Sequence, residues 1–593
     1  MAFSKGDLRI ELEAMITTEF WESASKDMPL PEHPNPQFQR DLFLSLNGLW
    51  DFEINQDELP PSEYTRQILV PFAVETLASG IQETVSAKDV LHYRKRFSLP
   101  SSFASKRVLL HFEAVDQICS VTLNGRLLGT HAGGYLPFSF DITDDLAEEN
   151  ELIVTVKDDV ESDVYPRGKQ AKKGHGIWYT PTSGIYQTVW LEAVHEDRIE
   201  SISMHPDPKT ATLSLDFSLQ GNPYPLNVRL FDGETLAGEA TIEEGNHIDV
   251  PVALPLRLWS PEEPNLYRIE IAAKEDRVHS YCAFRTFGKA FWHGHPVFAL
   301  NGKPYFLKGV LDQGYAPESG LTPVSEEAMV HDIRLAKEYG FNMIRKHIKV
   351  EPMRWYALCD SLGIIVFQDF INGGGPYSLY LMGLGTFLSP KWDDKTASFQ
   401  RRVGRKNPAS REEFRKEFIP FIRRFQNVPS LAGWTIFNEA WGQFDSDAFL
   451  AILRQEDPTR LIDQNSGWCD QGNGDFDSHH IYFRKVRLRP STKRILSLSE
   501  FGGFSLSLKD HSWSKRVFGY KRFRDISSLN SAIEKLFDKE IIPAKEQGLS
   551  LIVYTQLTDV EEETNGLVTY DRKVQKVDPM RLNLKMKELD YDD

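Results

Sequence analysis

The sequence predicts a multidomain protein with a β-sandwich, a second immunoglobulin-like β-sandwich and a (β/α)₈ TIM barrel. Three observations carry this prediction. Short runs of alternating apolar residues, separated by turn signals, fill the first third of the 593 residues. A second β-rich stretch follows. After about residue 291 the pattern becomes strands alternating with amphipathic helices, as parallel βα units require.

In the first third, strands are expected at 50–54, 107–113, 120–123, 152–156 and 187–191. Asn124-Gly125 lies between two apolar runs. That dipeptide tolerates the positive φ of a tight hairpin turn, so it marks a hairpin. Many short strands with no helical periodicity between them indicate a sandwich. The second β segment, from about 198 to 288, has expected strands at 212–217, 227–231 and 266–272. Its length suits an immunoglobulin-like sandwich.

Eight barrel strands are expected at 305–310, 342–347, 364–369, 433–439, 461–465, 476–482, 495–501 and 550–556. Helices are expected at 326–339, 352–361 and 411–426. In the first helix Met329, Ile333 and Ala336 share one face, and Glu326 and Glu327 sit in the first turn, where the helix dipole favours negative charge. Ser410 and Glu413 have capping-box spacing for the third. A doubly wound nucleotide-binding sheet is disfavoured, because no GxGxxG follows the first strand.

Composition narrows the function. Lys and Arg number 68 against 85 Asp and Glu, a net charge of −17. Nucleic-acid binding needs a basic face, so no nucleic-acid partner is expected. The four cysteines, Cys119, Cys282, Cys359 and Cys469, are scattered without CxxC spacing, which argues against a zinc site or disulfide framework. With no apolar signal-type core near the N-terminus and no membrane-length apolar run, a cytoplasmic protein without membrane association is expected. No metal or other cofactor is expected.

In a (β/α)₈ barrel the chemistry lies at the C-terminal strand ends. Strand four ends in Asn438-Glu439 and strand seven reaches Glu500. Both glutamates follow hydrophobic strands, and strands four and seven face each other across the mouth. Two carboxyls about 5–5.5 Å apart across a glycosidic bond perform retaining hydrolysis; about 6.5–9.5 Å gives inversion. Arg345 and His347 end strand two, His480 and Tyr482 end strand six, Gln556 ends strand eight, and Asp312 follows strand one.

The segment Asn427-Val428-Pro429-Ser430, Trp434, Asn438-Glu439 resembles the acid/base signature of glycoside hydrolase family 2, and Asn342-Met343-Ile344-Arg345 with His347 resembles its second signature. Asn47-Gly48-Leu49-Trp50, Asn124-Gly125, Gly133-Gly134-Tyr135 with Pro137-Phe138, and Ser183-Gly184-Ile185-Tyr186 with Val189-Trp190-Leu191 resemble that family's sugar-binding domain. The resemblance implies a jelly roll at 41–195, an immunoglobulin-like sandwich at 196–288 and a catalytic barrel at 289–593, after an N-terminal extension at 1–40. It also implies that Glu439 is the acid/base and Glu500 the nucleophile. Asn438 would bind the sugar 2-hydroxyl, Arg345 would keep Glu500 ionised, and Tyr482 would support it. His347, His480, Gln556 and Asp312 would contact substrate.

The sequence departs from the family in several places. His347 is one position closer to Arg345 than usual, Val428 stands where His is usual, and no Asn-x-Lys element of the glucuronidase type is evident. The chain also ends soon after the barrel, so the extra C-terminal domains of large β-galactosidases are expected to be absent. The expected activity is a retaining exo-glycosidase acting on an oligosaccharide or other glycoside with a terminal non-reducing β-linked sugar, of β-galactosidase type. A β-glucuronidase or other uronidase and an α-L-arabinosidase are alternatives on the same scaffold; a non-catalytic carbohydrate-binding protein is the alternative class. A transglycosylase would use the same residues. The family's habit implies a homo-oligomer. Three basic loops point to an anionic saccharide: Arg401, Arg402, Arg405, Lys406 and Arg411; Arg484, Lys485, Arg487 and Arg489; and Lys515, Arg516, Lys521, Arg522 and Arg524. The Gly-rich stretch 373–408 is long for a βα loop and is expected to be a lid or subunit contact.

Overall fold

The computed structural model describes residues 16–253, 255–375 and 392–592. Residues 376–391 of the 373–408 loop, expected as a lid or subunit contact, therefore lie outside the described residues. Two antiparallel sheets open the chain. In the four-stranded sheet, Phe43–Ser45, Val189–Val194, Arg107–Phe112 and Phe138–Asp141 are neighbours in that order. The six-stranded sheet orders Arg66–Val70, Gly48–Asn55, Val90–Phe97, Asn150–Lys157, Ile118–Leu123 and Arg126–Ala132. Alternate residues of both face a shared core that includes Trp50, Phe52, Tyr93, Leu110 and Phe112. The hairpin at Asn124-Gly125 forms with φ of 51° and 81°, the left-handed geometry that this dipeptide supplies cheaply.

The second sandwich pairs a three-stranded sheet (Arg198–Asp207, Thr212–Gln220, His247–Pro251) with a four-stranded one (Thr235–Ile242, Leu226–Asp232, Tyr267–Ala273, Asp276–Cys282). Val228, Leu230, Ile269 and Ile271 lie in the core between them.

The barrel strands are β1 (Leu307–Asp312), β2 (Met343–Lys346), β3 (Ile365–Asp369), β4 (Leu431–Asn438), β5 (Leu461–Ser466), β6 (Phe476–Ile481), β7 (Ile495–Gly502) and β8 (Leu549–Thr555). They form one sheet in the order 5-4-3-2-1-8-7-6, with parallel ladders throughout. At the seam, β5 and β6 are joined by individual bonds. Asp475 N donates to Ile462 O at 2.8 Å, Ser478 Oγ to Asp463 Oδ2 at 2.8 Å, and Ser466 Oγ lies 3.0 Å from His480 Nε2. A hairpin, Phe287–Trp292 with His295–Leu300, covers the N-terminal end of the barrel: Phe298 and Leu300 pack with Leu307, Met343, Phe367, Phe476 and Leu551.

Helix α1 (Glu326–Glu338) is capped by Ser325, whose hydroxyl accepts from Ala328 N, and α2 spans Met353–Leu362. Helix α3 (Pro408–Phe425) begins earlier than the capping-box spacing indicates. Asn407 is its cap, accepting from Ala409 N at 3.0 Å, and Pro408 occupies the first turn, where its fixed φ suits a helix and its missing N–H costs nothing. Ser410 lies inside the helix, where its hydroxyl accepts from Arg405 Nη1 at 2.6 Å. Among the described residues, no helix is long and apolar enough to cross a membrane.

The segment preceding the first sandwich ties the parts together. Gln37 Nε2 donates to Asn427 O at 2.7 Å. Buried Arg40 donates to Asp276 of the second sandwich at 2.7 Å and to Glu192 of the first at 3.0 Å.

Candidate active site

Glu500 lies within β7 near its C-terminal end and is buried. Its Oε1 accepts from Arg345 Nη1 at 3.3 Å and lies 3.6 Å from His480 Nε2. Its Oε2 accepts from the Tyr482 hydroxyl. Burial alone would push this carboxyl up, but the charges of His480, Arg345, His347 and Lys169 outweigh it and hold it at about 2. His347 is itself pushed down to about 4, chiefly by burial, so it is neutral at neutral pH. The permanent cation in direct contact with Glu500 is Arg345.

Arg345 organises the floor. Its Nε and Nη2 donate to Asp369 at 2.9 and 3.0 Å, Nη1 donates to Ser499 O at 3.1 Å, and Nη2 donates to Asn438 Oδ1 at 2.8 Å. Burial would raise the Asp369 carboxyl, yet Arg345 and His347 hold it at about 2. With Asp369 ionised, His347 Nδ1, 2.8 Å from Asp369 Oδ2, must carry the proton. His347 Nε2 is then a bare acceptor, buried and without a hydrogen-bond partner among the described residues. Because Arg345 occupies Asn438 Oδ1, the Asn438 side chain keeps its amide N–H₂ as the group that can donate.

Glu439 sits one residue past β4, with φ of +50°, and Ala440 follows at +61°. Two consecutive non-glycine residues in the left-handed region store strain of about 1–3 kcal/mol each, and such strain clusters at functional sites. The bond from Glu439 N to Ser466 O, 2.9 Å, holds the turn. Glu439 Oε1 lies 2.8 Å from His480 Nδ1. The carboxyl oxygens of Glu439 and Glu500 and a ring nitrogen of His480 all lie within 4.8 Å of one another. That spacing would admit a divalent ion, but Arg345 and the Tyr482 hydroxyl already supply positive donors to Glu500.

The structure thus brings Glu439, Glu500, Asn438, Arg345, His347, His480 and Tyr482 together. His480 is a bridge between the two glutamates, with both nitrogens engaged by protein. Tyr482 is further fixed by stacking on Tyr520, with centroids 3.7 Å apart. Gln556 is buried and spent on protein partners: Nε2 donates to Asn565 Oδ1 at 2.9 Å and Oε1 accepts from Gln313 Nε2 at 3.0 Å. Asp312 accepts from Lys346 Nζ and from Gly314 N at 2.8 Å, within a buried group that also contains Glu351 and Lys349. These two residues therefore shape the rim through neighbours. Among the basic loop residues, Arg405 is buried and bonded to Gly442 O (2.8 Å) and Asn372 O (2.6 Å), so it is a structural cation.

Sequence reasoning missed Asp369, although it ends β3, the position that flagged the others. It also missed Lys169, Trp178 and Tyr179, which reach the mouth from the first sandwich. Trp178 meets Trp441 edge-on at 4.9 Å.

The model of the glycosyl hydrolases family 2 TIM barrel domain matches residues 294–486, and that of the glycosyl hydrolase 2 galactose-binding domain-like family matches 75–185. Together they span about half of the sequence, and the chain belongs to glycoside hydrolase family 2. A β-galactosidase of Clostridium acetobutylicum is 26% identical over 393 residues, covering 62% of this chain and 40% of that protein. A β-glucuronidase of Bacteroides fragilis is 26% identical over 478 residues, covering 74% and 63%. The chain spans less than two thirds of the length of these relatives. Among solved structures, a β-D-glucuronidase of Dictyoglomus thermophilum superposes with a TM-score of 0.72 at 18% identity, covering 94% of this chain and 99% of that one. A β-galacturonidase of Eisenbergiella tayi gives 0.69 at 18%, covering 95% and 99%. At that identity the likeness speaks for the fold.

Proposed function

We propose that this chain is a retaining exo-glycosidase that hydrolyses a terminal β-linked sugar by double displacement. The observation that carries the reading is the closeness of Glu439 and Glu500, whose carboxyl oxygens come within 4.8 Å. Retaining enzymes hold the pair about 5–5.5 Å apart, whereas inverting ones leave room for a water.

Glu500, held ionised, attacks the anomeric carbon while Glu439 donates a proton to the departing glycosidic oxygen. A glycosyl ester on Glu500 results. Glu439, now ionised, takes a proton from water, the water oxygen bonds to the anomeric carbon, and Glu500 leaves as carboxylate. Arg345 and Tyr482 stabilise that carboxylate as it forms. The Asn438 amide donates to the 2-hydroxyl, and His347 Nε2 accepts from a further hydroxyl. An intact pair with its organising arginine disfavours a non-catalytic carbohydrate-binding role. Relatives named β-galactosidase and β-glucuronidase support a β-linked hexose or uronic acid as glycone. Four free, buried cysteines are consistent with a reducing, cytoplasmic setting.

Replacing Glu500 by Ala removes the nucleophile while leaving the acid/base in place. Turnover of nitrophenyl glycosides should be lost, and azide should restore it with a glycosyl azide of inverted configuration as product. Restoration without azide incorporation, or none at all, refutes the assignment.

A further inference from the structure

The segment Pro166-Arg167-Gly168-Lys169-Gln170 leaves the first sandwich and lies over the ends of β2 and β3. The approach is backbone-close. A Cβ placed on Gly168 would sit 3.0 Å from Ile348 O, and one on Gly373 would sit 2.4 Å from Arg167 N. The segment is pinned from its own side as well. The Tyr135 hydroxyl oxygen accepts from Gly168 N at 2.8 Å and from Gln170 Nε2 at 3.0 Å, and Tyr179 N donates to Lys169 O at 2.8 Å.

Lys169 is therefore held at the mouth by bonds to both of its neighbours. Its side chain is half-buried, yet among the described residues its ammonium makes neither an ion pair nor a hydrogen bond. Its charge reaches three carboxyl or imidazole groups: Glu500 of β7, His347 after β2 and Glu563 after β8. Glu563 already has partners, since its carboxylate accepts from the Tyr179 hydroxyl and from Asn565 Nδ2 at 3.0 Å.

We propose that Lys169, carried by the sandwich rather than the barrel, is a specificity residue of the glycone subsite, and that it takes the carboxylate of a uronic acid. This rests on the glycosidase reading above. A half-buried ammonium without a hydrogen-bond partner is costly, and a sugar carboxylate supplies acceptor oxygens in a charge-assisted bond. The bare acceptor at His347 Nε2, on a residue that the Lys169 charge also reaches, suits a ring hydroxyl of the same sugar.

The test uses the full chain with nitrophenyl β-D-galacturonide, β-D-glucuronide and β-D-galactoside, and calorimetric titration with free galacturonate, glucuronate and galactose. The wild type should prefer a uronide. Lys169→Met should lower kcat/KM on that uronide about 30- to 100-fold, the value of a hydrogen bond to a charged group, while the galactoside changes less than about threefold. Lys169→Arg should recover part of the loss. A wild type that prefers the galactoside, or a Lys169→Met loss equal on acidic and neutral substrates, overturns the proposal and leaves the glycosidase reading intact. If no substrate turns over but uronate binds in a Lys169-dependent way, the glycosidase reading fails and the role of Lys169 stands. Uronate binding indifferent to Lys169 overturns the role outright.

Discussion

Glu439 and Glu500 are chemically the same side chain in different surroundings. Glu500 is nearly sealed, with Arg345 and Tyr482 on its two oxygens, so its charged form is favoured. Glu439 is the more open of the two, with 19% of its side chain exposed against 6%, and it meets His480. Such an arrangement suits the proposed roles, a nucleophile kept ionised and a group that exchanges protons with solvent. Replacing Glu439 by Ala should therefore spare substrates whose leaving group needs no proton. Nitrophenyl glycosides should lose about tenfold or less in kcat, and alkyl glycosides on the order of a hundredfold or more, within the range of general acid catalysis. Equal losses on both, measured by steady-state kinetics, would remove Glu439 from the proton-donor role. Both glutamates were legible because a strand end in this fold is a site address. The bridging of the pair by His480 was not, since it depends on how β6 meets β5 across a seam of side-chain bonds.

At the level of elements, α3 shows how the barrel is held around the site. Phe414, Phe418, Phe421 and Phe425 recur along one face and pack with Phe370 and Trp434 of the adjoining strands. Phe418 stacks on Phe370 with centroids 4.5 Å apart. Trp434 donates from Nε1 to Asp457 Oδ2 at 2.8 Å, so its one polar atom is satisfied in the core. Phe418→Ala leaves a cavity in this layer and should cost about 3–5 kcal/mol, read as a lower urea midpoint. A loss under about 1 kcal/mol would mean that the layer collapses to fill the space. The sequence places this helix at 411–426, three residues after its actual start at Pro408. Asn407 caps it, and Ser410, expected as the cap, lies inside the helix with its hydroxyl bonded to Arg405.

Across the whole molecule, the junction of the first sandwich with the barrel carries a proton-linked feature. The Ser183 hydroxyl lies 2.6 Å from both Glu75 Oε1 and Asp158 Oδ2. One hydroxyl has one hydrogen, so the second short contact requires a protonated carboxyl. In agreement, burial pushes Glu75 up to about 8 and Asp158 up to about 7. Both folded values stand above those of the unfolded chain, near 4. The folded state thus holds more protons between about pH 4 and 8, and the stability these groups contribute is complete below about pH 4 and lost as pH rises toward 8. Thermal melts should move to lower temperature from pH 5.5 to 8.5, and Glu75→Gln should flatten the slope. Melts that do not fall over that interval, or that fall just as steeply in Glu75→Gln, would contradict this account.

What the sequence determined by itself was local in character: strand and helix periods, the Asn124-Gly125 turn, and the polar residues that end barrel strands. These are set by backbone geometry within a few residues, so they can be read along the chain. The tertiary structure alone decided the placement of Lys169, Tyr179 and Trp178 over a barrel that begins more than 100 positions later in the chain. It also decided that Asp312 and Gln556 are absorbed by protein partners. Neither outcome has a sequence period, because each depends on the distance at which two separately built cores come to rest against each other, and that distance is set by packing.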